Sequence, residues 1–313
     1  MWQNILLKSI EQGLVFGIMA LGVFITFKIL KCSDLTVDGS FPLGAAVAAS
    51  LIVGGCNPFF ATFIALLSGA IAGLITGILN TKAKISDLLS GILTMTSLYS
   101  INLRIMGKPN IPLLNKPTIF SIVESTLEKI PGFPLKYMYL ILFLIIAFGV
   151  KFLLDALLNT QLGFALRATG DNPQMIRSQG VNTNLTKVMG LSLSNALISF
   201  AGALVAQYQG FADVSMGIGT IIAGLASVII GNALFGERSI FISTAAVLFG
   251  SIIYRSSISL VLSLRLAQAS DLKLLTSIVV IIALTAPEFQ KVLNKNSKGG
   301  CKHAGVEKHI KNL

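Results

Sequence analysis

FFATFIALLSGAIAGLITGIL, residues 59–79, runs through 21 positions without a charged side chain. A helix of that length spans roughly 30 Å, the thickness of a bilayer's hydrocarbon core. Apolar residues occupy every face of it, with glycine and alanine scattered among them, whereas an outer-membrane strand would alternate polar and apolar side chains. The stretch therefore reads as a membrane-crossing helix. Gly69, Gly73 and Gly77 recur at every fourth position and cut a small-residue groove along one side. Helix packing within the chain is the expected use of the groove, and a homodimer seam the other one.

The same character returns on both sides of this helix. Apolar blocks lie at 12–30, 40–55, 85–105, 137–158, 186–206, 217–236, 240–262 and 271–288. The fold class is thus all-α, a polytopic membrane protein of about nine transmembrane helices, with eight to ten as the range. The second and seventh blocks are short enough to be broken or re-entrant. The first block shows no small-residue cleavage site after it and is expected to be retained as a span.

Composition agrees. The 313 residues are 54% hydrophobic and only 12% charged, with a mean hydropathy of +0.81. A soluble domain of this size needs more polar cover. A secreted domain, a nucleic-acid binder and an ordinary cytosolic enzyme are excluded. The net charge of +11 is a topology marker: residues 289–313 hold six lysines against one glutamate, and the other 288 positions carry 18 basic and 12 acidic side chains. With the N-terminus outside, 15 of the 24 basic residues fall in cytoplasmic stretches and eight outside, which obeys the positive-inside bias. The expected arrangement is N-out and C-in, with residues 1–288 as the membrane domain and 289–313 as a Lys-rich cytoplasmic tail. Cys32, Cys56 and Cys301 lie far apart and imply neither disulfides nor a metal site. Cys301, His303 and His309 read as solvated tail residues.

Two loops exceed the length of simple connectors. Residues 107–136, outside in this topology, contain five prolines and an amphipathic stretch at Ile119 to Ile130. Ser121 with Glu124 resembles a capping pair, so an ordered docking feature is expected. Residues 159–185 form the other loop, on the cytoplasmic side. In LGFALRATGDNPQMIRSQGVN, Leu162 to Asn182, either Asp171 or Asn172 can cap a helix with Pro173 in its first turn. The helix runs through Met175 and Ile176 to about Gln179, and Gly180 supplies a left-handed C-terminal residue. Arg167 and Arg177 flank it. By itself this pattern fits a coupling element and a plain interfacial helix equally.

Absences narrow the chemistry. There is no G-x-x-x-x-G-K-[ST] run to hold nucleotide phosphates, and Gly217, Gly219 and Gly224 belong to an apolar block where they serve packing. No Ser/His/Asp set is visible. No catalytic residue is assigned, and no cofactor is expected on this chain.

The loop segment resembles the coupling-helix region of permease subunits of ABC importers, in the branch serving branched-chain amino acids, ribose and nucleosides. Arg167, Ala168, Gly170, Asn172, Gly180 and Val181 match that family's R-A-x-G-x-N-x-x-x-A-x-x-x-G-I/V pattern, with Ile176 in a small-residue place. ILKCSDLTVDGSFPLGA, Ile29 to Ala45, looks like the family's G-G-I-D-L-S-V-G segment through Asp34, Leu35, Thr36 and Val37, while Cys32 and Ser33 depart from it. GLASVIIGNALFG, Gly224 to Gly236, resembles A-x-V-I-I-G-G-x-x-L-F-G, with Asn232 in place of a glycine. Within that branch the chain resembles uncharacterised or aromatic amino acid permeases. The resemblance implies a subunit of a bacterial plasma-membrane importer, normally a homodimer. Arg167, Ala168, Gly170, Asn172, Met175, Arg177 and Gly180 would engage a separate ATPase that holds ATP and magnesium. An extracellular solute-binding protein would dock on the outer loops.

Polar breaks in the spans supply the remaining candidates. Asp34, Thr36, Asp38 and Ser40 precede the second span, and Asp213 and Ser215 precede the seventh. Asp34-Leu-Thr-Val-Asp-Gly39 and Asp213-Val-Ser-Met-Gly217 share an Asp-apolar-hydroxyl-apolar pattern, as an inverted repeat would produce. These residues read as pathway-lining groups or as helix caps. Arg255, the one basic residue well inside a span, is expected to snorkel to the outer surface. Lys151 and Asp155 read as a helix-end ion pair. An ion-coupled secondary transporter is the rival reading, but it calls for ionisable residues in the spans, where little beyond Asp87 and Arg255 stands. A non-transporting scaffold leaves the coupling pattern without a use.

Overall fold

A computed structural model describes residues 2–128, 137–236 and 239–263, with positions 274, 277, 278, 281 and 285 beyond them. The expected ninth span, the end of the 107–136 loop, Arg238 and the tail with Cys301, His303 and His309 lie outside the described residues, apart from those five positions. Among the described residues the regular structure is helical save for one two-stranded ladder.

The described helices are α1 (Trp2–Val23), α2 (Val37–Val53), α3 (Pro58–Thr81), α4 (Asp87–Met106), α5 (Ile119–Leu127), α6 (Met138–Leu158), α7 (Gln161–Asp171), α8 (Pro173–Ser178), α9 (Thr183–Gln209), α10 (Thr220–Phe235) and α11 (Ile240–Ser263). Eight of them lie on the apolar blocks, and three, α5, α7 and α8, in the two long loops. Six stretches, Asn4–Ile29, Pro58–Thr81, Met138–Leu158, Thr183–Gln209, Val214–Phe235 and Ile240–Ser263, are long and apolar enough to cross a membrane. α2 has only 17 residues, as its short block implies. α4 spans 20 residues but is less apolar than those six.

α9 is the central post, packed most extensively on α3 and α2, while α1 packs along α11 and α9. Small residues let these backbones meet. A methyl group added at Gly69 would stand 2.3 Å from the Asn195 carbonyl oxygen, one at Gly73 would stand 2.2 Å from that of Leu191, and one at Gly77 would stand 2.8 Å from the Val188 Cα. The α3 groove is therefore filled by α9 of the same chain. β1 (Asn110–Pro112) pairs antiparallel with β2 (Phe211–Asp213), tying the loop after α4 to the end of α9.

Several local features depart from the sequence-based expectations. α5 is capped by Thr118, whose hydroxyl accepts from Ser121 N at 3.1 Å while Ser121 Oγ accepts from Thr118 N at 2.8 Å. The Ser121/Glu124 pairing is replaced because the cap lies one turn earlier; Glu124 instead accepts from the Tyr139 hydroxyl at 3.4 Å. α1 continues as a π-helical turn, Phe24–Ile29, before Lys31 adopts φ +53°. Lys151 and Asp155 are no surface pair: Nζ and Oδ2 lie 2.7 Å apart with 1% and 8% of their side chains exposed. Lys151 Nζ also stands 3.0 Å from the centre of the Phe241 ring, and Thr244 Oγ1 donates to Asp155 Oδ1 at 2.7 Å. Packing of α6 on α11 buries the pair, a contact that no local spacing reveals.

Candidate functional site: a polar crossing and an anchored surface helix

Between α1 and α2 the chain leaves helical pairing inside the bundle, so its polar groups need side-chain partners. Asp34 Oδ1 accepts from Thr36 N at 2.9 Å, closing a tight turn, and its Oδ2 accepts from Asn195 Nδ2 at 2.8 Å. Ser40 Oγ donates to Asn195 Oδ1 at 2.7 Å, and the Thr36 and Thr76 hydroxyls lie 2.9 Å apart. Asn195, in the middle of α9, thus joins both ends of the break. Sequence reading missed it; the only signal was one amide in an apolar run. Asp34, Thr36, Ser40 and Asn195 are all buried. They form the joint between α2 and α9 and line none of the cavities described here.

Asp38 is placed differently. Its carboxylate accepts from Gly219 N at 3.0 Å, Ile221 N at 2.9 Å and Thr220 Oγ1 at 3.0 Å. It therefore caps α10 across the bundle, where the free amides and the helix dipole favour a negative charge. Gly217, in a 3-10 turn at Val214–Gly217, makes this approach feasible: a methyl there would stand 2.1 Å from the Asp38 carbonyl oxygen. Asp38 also lines a cavity of about 270 Å³ with Met95, Tyr99, Asn102 and Ile218.

Asp213 and Ser215 sit at the surface turn before α10. Asp213 Oδ1 accepts from Ser215 N at 2.7 Å and from the Ser215 hydroxyl, and Oδ2 accepts from Asn110 Nδ2 at 3.3 Å. The Ser215 hydroxyl, foremost among these, holds the carboxyl below its ordinary range. This turn repeats the Asp34–Thr36 geometry: carboxylate to the amide two residues on. Arg255 is half-buried. Its guanidinium lies over the Phe16 ring, 3.4 Å from the centroid. No group of three or more His, Cys, Asp or Glu side chains able to hold a metal occurs among the described residues.

At one end of the bundle the loop before α9 folds into two helices. α8 starts where Asn172 Oδ1 accepts from Met175 N at 3.1 Å with Pro173 in the first turn, so Asn172, not Asp171, is the cap. Gly180 closes it at φ +84°. Ile176 is buried beneath, Met175 is 55% exposed, and Arg177 Nε donates to Thr183 Oγ1 at 2.6 Å. α7 was not foreseen; it carries Arg167, Ala168 and Gly170 and places Arg167 4.6 Å from the Phe164 ring centre. Gly170 meets the end of α1 so closely that an added methyl would stand 1.9 Å from the Ile29 carbonyl oxygen. Lys31 pairs with Asp171 at 2.7 Å beside it.

The profile of the family described as "Branched-chain amino acid transport system / permease component" matches residues 5–285. The chain belongs to that permease family. A tyrosine transport system permease protein of Clostridioides difficile is 45% identical over 292 residues, covering 93% of this permease and 94% of the relative. An uncharacterized protein of Rickettsia prowazekii is 37% identical over 291 residues, covering 90% and 98%. The ribose import permease protein of Haemophilus influenzae is 27% identical over 237 residues, covering 74% and 70%. The permease is thus a multi-pass component of the bacterial plasma membrane and a transport subunit.

Proposed function

We propose that this permease is the membrane subunit of an ATP-driven ABC importer, forming the pathway for a small solute, an amino acid, handed over by an extracellular binding protein. Two copies would make the pore. A separate ATPase would hold ATP and magnesium and dock on residues 162–182, taken as cytoplasmic, while residues 107–136 face the binding protein. The α7–α8 unit carries the reading. Its outward face, led by Met175, is exposed, while its root is fixed to α1 through Gly170 and Lys31 and to α9 through Arg177. A push on α8 would therefore reach the turn between α1 and α2 and, through Asp38, the start of α10. The tyrosine transport name of the 45%-identical relative supports an amino acid as solute.

The test is co-purification with the ATPase and ATP-dependent uptake of L-tyrosine and other amino acids into proteoliposomes. Met175→Glu, at an exposed position, should abolish ATPase capture while leaving the permease folded. Uptake by the isolated chain without ATP would overturn the proposal.

A further inference from the structure

Arg255 lies on α11, within the described stretch Ile240–Ser263. Its Nε is buried and has no hydrogen-bond partner, and among the described residues no carboxylate pairs with the guanidinium. The Phe16 face is its one partner among them, and a cation over a ring recovers only about 2 kcal/mol. A cation buried without an anionic partner costs several kcal/mol more than that. Such a group persists where something else uses it.

The guanidinium borders a cavity of about 420 Å³ with Phe16, Tyr254, Thr220 and Ile218. That cavity reaches Gly219 and Thr220 at the start of α10, and Ile218 lines both cavities. The α10 amides at Gly219 and Ile221 are already taken by Asp38. Arg255 therefore offers the cavity a donor that no carboxylate among the described residues takes up, and its planar fork matches a carboxylate.

We propose that Arg255 receives the carboxylate of the solute as it passes α10, making it a specificity-determining residue of the pathway. The proposal rests on the amino-acid importer reading. A single cation holds a carboxylate weakly enough to release it, as a pathway site must.

Two arms test it. In proteoliposomes with ATPase and binding protein, Arg255→Met should lower the L-tyrosine imported per ATP hydrolysed roughly tenfold or more, the scale for losing a buried charged partner, and Arg255→Lys should recover part of it. An unchanged yield per ATP in Arg255→Met would overturn the proposal. The second arm needs no uptake. The full chain in nanodiscs is heated with 4-hydroxyphenylpropionate, its amide or sodium chloride. The acid alone should raise the melting temperature, and Arg255→Met should abolish the rise. An equal rise with chloride, or one retained in Arg255→Met, would overturn the carboxylate site. If wild type imports no amino acid yet shows the acid-specific rise, the importer reading fails and the Arg255 site stands.

Discussion

Replacing Asp38 by alanine should unfasten the start of α10. The carboxylate accepts two backbone amides and one hydroxyl, at 2.9 to 3.0 Å. Leaving a buried donor unpaired costs ~1–3 kcal/mol, and a charge at a helix N-terminus contributes about 0.3–1 kcal/mol. Asp38 is half-buried, so the lower end applies to each amide, and about 2–3 kcal/mol in all is expected. Asp38→Asn keeps one acceptor oxygen and should lose about 1 kcal/mol. The assay is hydrogen exchange on the purified permease. A loss of ~2 kcal/mol corresponds to about 30-fold faster exchange of the Gly219 and Ile221 amides. Exchange at these amides unchanged in Asp38→Ala would refute the reasoning, because the amides would then have another partner.

Gly170→Ala should force α7 away from the Ile29 carbonyl and lower uptake per ATP, whereas Gly180→Ala meets open space and should cost only the ~1–2 kcal/mol of a left-handed backbone; transport assays on both variants compare them. Lys151→Met should destabilise the permease by about 3–5 kcal/mol in thermal unfolding, because Asp155 would stay buried without its partner, and the Lys151→Met/Asp155→Leu double variant should recover much of the loss. The Asp213 carboxyl is depressed in the folded chain, so its turn contributes stability above the ordinary carboxylate pKa and loses it as pH falls through the lower, folded value. Carboxyl NMR of Asp213 should accordingly show titration below the ordinary carboxylate range, and Ser215→Ala should move it upward.

Much of the architecture was legible because a bilayer demands unbroken apolar length. The segments around 59–79, 137–158 and 240–262 declare themselves as helices through that demand alone. The α8 helix was legible for a different reason: its cap, proline and terminal glycine all act within one local run, and Asn172, Pro173 and Gly180 occupy those places. α7 escaped notice because only five of its eleven residues are apolar and its stability comes from resting on Ile29 and Leu166's neighbours in α9.

What the residues alone determined, then, is that this chain crosses a membrane many times, has a capped helix at one loop and carries breaks at Asp34–Ser40 and Asp213–Ser215. Only the tertiary structure decided what those polar groups do. Asp34 and Asp38 are four residues apart, yet one is sealed against Asn195 and the other holds the first turn of α10. Arg255 lies over Phe16 at the border of a cavity. Periodicity and caps are local, whereas the partner of a buried charge is set by which helices meet, and those contacts join residues more than 150 positions apart.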